Sequence, residues 1–184
     1  MSHRLFSFVG SPDGCWKVRS QRAWIGDPLS AVRCVEVVTG DVASPAGGWS
    51  LRGVTSNDRY VVRAEKQALA AAQKGLNRPE ATFAALIPIR KSGDWWSMTQ
   101  DERRHVFEEQ SRHIAIGMEH LPPVARRLHH CRDLAAAEPF DFLTWFEYAP
   151  AYERRFEDLL AALRASAEWT YVAHEVDIRL YREP

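Results

Sequence analysis

The clearest periodicity along the chain lies between positions 140 and 181. Five residues at alternate positions share one face of a predicted strand: Phe140, Phe142, Thr144, Phe146 and Tyr148. Between 151 and 165 the apolar residues recur at helical spacing and form a single stripe: Phe156, Leu159, Leu160 and Leu163. Alternation returns from 169 to 181, so this part of the chain predicts a strand, a helix and a second strand.

The middle of the chain predicts a long helix with a defined start. Thr99 and Glu102 have the spacing of a capping box, and the helix is expected to run from there to about Glu119. The proline pair at 122–123 ends it, because proline cannot continue a helix. A second, short helix is predicted to follow through Leu128.

Shorter segments fill the remainder of the chain. Residues 65–76 are rich in strong helix formers, and residues 82–89 form an apolar run typical of a buried strand. Pro88 within that run indicates a strand end or a sheet edge. Further strands are predicted at 4–9, 15–19, 33–39 and 59–63. Strands first, followed by helices that return to a sheet, predict an α+β, ferredoxin-like arrangement.

Composition narrows the classes of function. The 184 residues suffice for one domain or for two small halves that share a core. Lys+Arg and Asp+Glu both number 24, so nucleic acid is not an expected partner. Three cysteines without a CxxC spacing argue against a disulfide framework and a structural zinc site. No long apolar run marks a membrane span or a signal peptide, so we expect a cytoplasmic protein without a membrane partner.

One face of the predicted long helix carries a histidine among apolar residues. His113 shares this face with Ile114 and with Gly117, which leaves a gap beside the imidazole. Such a face could hold a flat macrocycle whose iron is bound by the histidine, or the histidine could simply satisfy a backbone carbonyl in the core. His120 lies seven residues further on the same face and is an equal candidate.

Three other places carry candidate chemistry. Residues 125–133 contain three arginines and two histidines. These side chains either form a solvated helix face or include one guanidinium that faces a pocket and binds a small anion. Lys91 and a tryptophan pair at 95–96 either line the edge of a cofactor or pack a loop. Glu168 is either a surface acid or a buried carboxylate that accepts the Nδ1 proton of a ligating histidine.

Five stretches together resemble the chlorite dismutase family: 111–117, 125–134, 140–147, 168–172 and 175–179. The resemblance extends from about residue 59 to residue 180. In that family the histidine below the haem precedes the catalytic arginine above it by thirteen residues, which implies His113 as iron ligand and Arg126 as catalytic residue. It also implies roles in haem binding for seven residues: Lys91, Trp95, Trp96, Leu128, Thr144, Phe146 and, as partner of His113, Glu168.

The resemblance also implies a fold and an assembly. The expected fold is a ferredoxin-like dimeric α/β barrel, with a reduced N-terminal half at 1–58 and a haem-binding half at 59–184. The short chain is similar to the dimeric lineage of the family, so a homodimer is expected. Two departures are a slightly longer loop at 135–137 and a first stretch of 55 residues that matches no family motif.

The activity implied by the resemblance is that of a haem b enzyme that converts chlorite to chloride and dioxygen, with O–O bond formation at the haem iron. The alternatives are a coprohaem decarboxylase or a peroxidase-like haem protein on the same fold, and a binding module on a dimeric α/β barrel without haem. Coprohaem decarboxylases typically carry glutamine in place of the arginine above the haem, so Arg126 favours chlorite as substrate.

Overall fold

The computed structural model describes residues 4–57, 59–134 and 137–183. These ranges hold eight strands: β1 (Leu5–Ser11), β2 (Trp16–Ile25), β3 (Cys34–Thr39), β4 (Trp49–Thr55), β5 (Phe83–Lys91), β6 (Ala125–His130), β7 (Phe142–Tyr148) and β8 (Val172–Tyr181). They also hold five α-helices: α1 (Arg63–Ala72), α2 (Gly93–Ser97), α3 (Gln100–Arg104), α4 (His113–His120) and α5 (Glu153–Arg164). Of the loop at 135–137, Ala135 and Ala136 lie outside the described residues.

The strands close into one barrel in the order β1-β3-β2-β8-β5-β7-β6-β4, with β4 returning to β1. Neighbouring strands are antiparallel. The α+β, ferredoxin-like barrel expected from the sequence is therefore confirmed. Strands β1–β4 are contiguous around the barrel and so are β5–β8. The predicted boundary, residue 58, is not among the described residues, and the division into two halves stays a prediction.

Strand β7 separates two apolar cores. Leu143 and Trp145 face the interior of the barrel, whereas Phe142 and Phe146 face outward to an apolar layer that includes helix α5. All of these side chains are buried, as expected of a strand that is covered on both faces. The alternation predicted for this strand is confirmed from Phe142 to Tyr148, whereas Phe140, predicted on the same face as Phe142, precedes the strand and packs in the barrel core. The helical stripe of α5 is also confirmed, since its four apolar residues are all buried: Phe156, Leu159, Leu160 and Leu163.

The closure of the barrel depends on two short pairings. In the described part of the chain, β4 pairs with β6 through Val54–His130 and Thr55–His129. Close approach at this point requires Gly53, since a Cβ on it would lie 2.7 Å from the Cβ of His129. Strand β2 meets β3 in a similarly short ladder, whereas its pairing with β8 runs along most of its length.

The predicted continuous helix from 99 to 119 is wrong in its middle. The capping box at Thr99 and Glu102 is present and α3 begins behind it. The chain then continues as a π-helical segment, His105–Gln110, and Arg112 adopts a left-handed conformation with φ of 52°. Since this residue breaks the helix, α4 begins anew at His113. Wider π-helical turns often occur at functional sites, and this one ends three positions before the predicted ligand, His113.

Three further predictions of secondary structure are wrong. The short helix expected through Leu128 is strand β6, which pairs with β7 along its whole length. Residues 59–63 are a turn that leads into α1, and Tyr60 has a positive φ. Pro88 lies inside β5 opposite Leu143, in a barrel that has no edge at this strand. Strand β4 was not predicted at all. No helix in the ranges described above is long and apolar enough to cross a membrane.

Candidate active site

A cleft that is partly open to solvent lies on the outer face of β5, β6 and β7 and is covered by α4 and α5. Eight of the nine residues implied by the family resemblance line it: Lys91, Trp95, His113, Arg126, Leu128, Thr144, Phe146 and Glu168. Residues from five separate parts of the chain thus meet in one place. The cleft also receives apolar walls from Ile87, Val124 and Leu160.

His113, the first residue of α4, is held on two sides. Its Nδ1 lies 2.6 Å from Oε2 of Glu168, and its ring stacks on Phe107 at a centroid distance of 4.2 Å. Because Nδ1 is engaged by the carboxylate, Nε2 is the ring nitrogen that remains available to a ligand.

Glu168 and Lys91 form a buried ion pair behind this histidine. Nζ of Lys91 donates to Oε1 of Glu168 at 2.7 Å and lies 4.4 Å from the ring centre of Trp95. Burial by itself would raise the pKa of Glu168, but the positive charge of Lys91 and the imidazole of His113 outweigh it and lower the pKa to about 2. The carboxylate is therefore charged at neutral pH and accepts the Nδ1 proton of His113.

The geometry also distinguishes the two histidines that the helical pattern left equal. His113 and His120 both line the cleft. Nδ1 of His120 is buried and has no hydrogen-bond partner among the residues at 4–57, 59–134 and 137–183. Histidines that bind a metal usually donate their second N–H to a carboxylate or a carbonyl. His113 has this arrangement, which favours it over His120 as the ligand.

Arg126 projects into the cleft from β6, where it pairs with Phe146 of β7. Within the part of the chain that the structure describes, its guanidinium makes no hydrogen bond or ion pair. Burial lowers the pKa of Arg126, yet an arginine keeps its proton in proteins. The cleft thus holds an uncompensated positive charge with several free N–H donors, which suits a small anion.

The neighbouring Arg127 faces the opposite side of β6. Its guanidinium lies 3.8 Å from the ring centre of Phe6, and its Nε donates to Nε2 of His129 at 3.0 Å. Strand geometry therefore selects Arg126 for the cleft, because successive side chains point to opposite faces.

Trp96 is the implied haem-side residue that does not line the cleft. Its indole packs almost parallel to Phe142, with ring centres 6.0 Å apart, and Phe142 is the residue that faces the cleft. Its Nε1 donates to Oδ2 of Asp141, which also accepts the backbone N–H of Lys91. Trp96 therefore supports the wall behind Phe142 and Lys91.

The cleft contains residues that the sequence patterns did not single out. Asn57, Arg59 and Tyr60, which follow β4, also line it. Oδ1 of Asn57 accepts the backbone N–H of Leu128 at 2.8 Å, so the chain at Asn57 is fixed to β6. A bond between residues 71 positions apart has no local signature. Only the correct pairing of β4 with β6 would have shown it.

The side chains fit a haem. Among the described residues no group of three or more His, Cys, Asp or Glu could hold a metal ion. The apolar walls of the cleft are typical of a site for a large flat ligand. Gly117 lines the same cleft, and a Cβ built on it would meet no atom within 4 Å, which leaves space beside α4.

The family model described as chlorite dismutase matches residues 36–182. The chain belongs to the chlorite dismutase family. The matched region begins within β3, so it extends further towards the N-terminus than the resemblance seen in the sequence motifs, which begins at about residue 59. The crystal structure of dimeric chlorite dismutases from Nitrobacter winogradskyi has 54% sequence identity, covers 97% of this chain and 99% of that chain, and has a TM-score of 0.89.

More distant chlorite dismutases show the same fold. A mutant enzyme from Candidatus Nitrospira defluvii is 16% identical and aligns over 100% of this chain and 93% of that chain, with a TM-score of 0.66. The chlorite dismutase of Ideonella dechloratans is 31% identical over 103 residues, which are 53% of this chain. The aligned stretch spans 33% of that protein's length.

Proposed function

We propose that this chlorite dismutase family member is a haem b enzyme that converts chlorite to chloride and dioxygen. The observation that carries the proposal is the pair of residues in one cleft, a histidine held by a charged carboxylate and an arginine without a counter-ion. Family membership and the 54% identity to dimeric chlorite dismutases support the same reaction.

His113 would hold the haem iron through Nε2. The charged Glu168 keeps the proton on Nδ1 and makes the imidazole a stronger electron donor, and Lys91 keeps this carboxylate ionised. When bound, the haem iron supplies the centre at which chlorine–oxygen bonds break and the oxygen–oxygen bond forms. The reaction balances without another reactant, because ClO₂⁻ contains all the atoms and the charge of Cl⁻ and O₂.

Arg126 would bind the chlorite anion and retain it during the reaction. A guanidinium surrounded by apolar walls attracts an anion more strongly than one in water, because the effective dielectric constant is low. Leu128, Thr144 and Phe146 line the same part of the cleft, from β6 and β7. Arg126 would therefore keep any hypochlorite formed from chlorite in the cleft until both oxygen atoms leave as dioxygen.

The deciding experiment measures dioxygen release after chlorite is added to the haem-loaded protein. Arg126→Ala is expected to lower turnover per bound haem by a factor of about 10² or more, as loss of a charged donor at a reacting anion usually does. The ferric absorption spectrum should persist, and a chlorination probe should detect more escaping hypochlorite.

Arg127→Ala is the matched control, because this arginine is adjacent in sequence and faces away from the cleft. It should retain turnover per bound haem. Wild-type protein that binds haem but releases no dioxygen from chlorite would contradict the proposed activity. Equal turnover in the Arg126→Ala and wild-type proteins would contradict the role given to Arg126.

We further propose a homodimer, which the similarity to dimeric chlorite dismutases supports. Light scattering should then give twice the 21.0 kDa mass of one chain. A mass of one chain at micromolar concentration would contradict this proposal. Cytoplasmic location stays a prediction from the sequence.

A further inference from the structure

Helix α4 begins without a cap from its own N-terminal residue. Arg112 occupies the N-cap position with φ of 52° and ψ of 35°, and its side chain makes no capping hydrogen bond. The bond comes instead from Glu108 in the π-helical segment, whose Oε2 accepts the backbone N–H of Ile114 at 2.6 Å. A residue outside the helix thus replaces the usual cap.

This bond fixes the backbone on which His113 is placed. Arg112 directly precedes His113 and Ile114 directly follows it, and the backbone N–H of Arg112 donates to the carbonyl oxygen of Glu108 at 2.8 Å. Glu108 therefore holds the chain on both sides of the histidine, once through its main chain and once through its carboxylate. A left-handed residue without such support would leave the direction of the first helical turn poorly fixed.

Residues near Glu108 in the chain also contact His113 and its partner, Glu168. Oγ of Ser111 accepts the backbone N–H of Glu168 at 2.8 Å, and Phe107 stacks on the imidazole ring. The histidine and the carboxylate that orients it are thus attached to one short stretch of chain. Displacement of this stretch would change the His113–Glu168 geometry.

The charge of Glu108 suits its position. Its carboxylate lies at the N-terminus of α4, where the helix dipole is positive, and a charge-assisted hydrogen bond is stronger than a neutral one. An ordinary cap would contribute only to stability. A cap next to a metal ligand would also change the bond between that ligand and the metal.

We propose that Glu108 is a positioning residue for His113, which sets the orientation of the imidazole towards a haem by holding the first turn of α4. This inference rests on the proposed function, since it takes His113 to be the iron ligand. Glu108 would touch neither haem nor chlorite and would act through the backbone at Arg112 and Ile114.

The test compares Glu108→Ala and Glu108→Gln with wild type in the haem-loaded protein. The rate of haem loss to a scavenging apoprotein and the iron–histidine stretching band of the ferrous protein are measured. In Glu108→Ala haem loss should be several-fold faster, and the band should shift or broaden. Glu108→Gln keeps an oxygen acceptor and should restore most of both values.

Glu109→Ala is the matched control. Its carboxylate is exposed and contacts the exposed His105, and neither residue is among those that line the cleft. It should match wild type in both measurements. Hydrogen exchange of the Ile114 amide in the haem-free protein tests the bond without any cofactor, and protection should fall in Glu108→Ala but not in Glu109→Ala.

The outcomes distinguish the role of Glu108 from the proposed function. A normal iron–histidine band and normal haem loss in Glu108→Ala would overturn this inference while leaving the proposed function in place. Unchanged protection of Ile114 in Glu108→Ala would overturn it as well. If the wild-type protein takes up no haem, the proposed function is wrong, and so is the role given to Glu108. The same holds if the iron–histidine stretching band is still present in the His113→Ala protein.

Discussion

Glu168 is a carboxylate that keeps its charge although only 4% of its surface is exposed. Its pKa in the folded protein is about 2, below the ordinary value of 4.5, so the folded state binds fewer protons than the unfolded state as the pH falls. The stabilisation is fully present above about pH 4.5 and is lost as the pH approaches 2. From pH 7 to pH 3 the loss is about 2 kcal/mol.

Urea unfolding of the haem-free protein at pH 7 and pH 3 measures this loss. Glu168→Gln cannot titrate at this position and should lose about 2 kcal/mol less than wild type over the same interval. Glu109→Gln, which removes an exposed carboxylate, should behave as wild type does. Equal pH dependence of the wild-type and Glu168→Gln proteins would show that the carboxylate is not held ionised by Lys91 and His113.

At the scale of single residues, sequence patterns pointed to a few histidines and arginines as site residues but did not distinguish between them. His113 and His120 lie on the same helix at the same spacing, and only the contact with Glu168, 55 positions away, distinguishes them. Arg126 and Arg127 differ only in the face of β6 that each occupies. Family resemblance pointed to His113, which contacts Glu168, and to Arg126, which lines the cleft, because it encodes such distant contacts indirectly.

At the scale of the element, Gly117 lowers the stability of α4 but leaves free space in the cleft. A glycine inside a helix is less favourable than alanine by about 1 kcal/mol, and here the missing side chain leaves free space. Gly117→Ala and Gly117→Leu should both raise the free energy of unfolding of the haem-free protein, by up to about 1 kcal/mol. Gly117→Leu should also reduce haem uptake strongly, because its side chain extends into the cleft.

Denaturant unfolding of the haem-free proteins and haem titration measure the two effects separately. Gly117→Ala is the control for backbone stabilisation, since its single methyl group occupies little of the space. A Gly117→Leu protein that takes up haem with wild-type affinity would show that the cofactor does not occupy the space beside α4.

Elements with a strong and continuous period were predicted well, as in α5 and β7. Strand β6 was mistaken for a helix because its polar residues occupy both faces, so that its alternation is invisible in the sequence. Arg127 and His129 face the barrel, and Arg126 and Leu128 face the cleft. The π-helical segment was also missed, since the same residues satisfy an ordinary helical period and only the left-handed Arg112 breaks it.

At the scale of the whole molecule, strands β1, β3 and β4 form a group that pairs with the neighbouring strands over only a few residues. Strand β1 pairs along its length with both β3 and β4. This group meets the other five strands through the short β2–β3 and β4–β6 ladders. Native-state hydrogen exchange should therefore show β1, β3 and β4 opening together at a lower free energy than β5, β7 and β8.

Exchange followed by mass spectrometry over a range of low denaturant concentrations measures these free energies. Replacement of Gly53 by alanine is expected to weaken the β4–β6 border and to lower the opening free energy of the three-strand group alone. Uniform exchange of all eight strands would contradict this division of the barrel.

The order of strands around the barrel could not be predicted from local patterns. Strand β2 pairs with β8, so that Lys17 lies opposite Tyr181 at the other end of the chain. The pairing also divides the barrel differently from the sequence halves, because β2 is attached more extensively to the second half than to β3. Local periodicity specifies strands and their faces, whereas their neighbours depend on contacts formed only in the closed barrel.

The two buried faces of β7 have a consequence for how such a protein can change over time. Substitutions at Thr144 or Phe146 alter the walls of the cleft, while Leu143 and Trp145 continue to fill the barrel. Successive side chains of a strand point to opposite faces, so a substitution on one face of β7 leaves the side chains on the other face in their own layer. One strand therefore separates the part of the molecule that must be conserved for folding from the part that is free to acquire a new ligand preference, and the two can diverge at different rates.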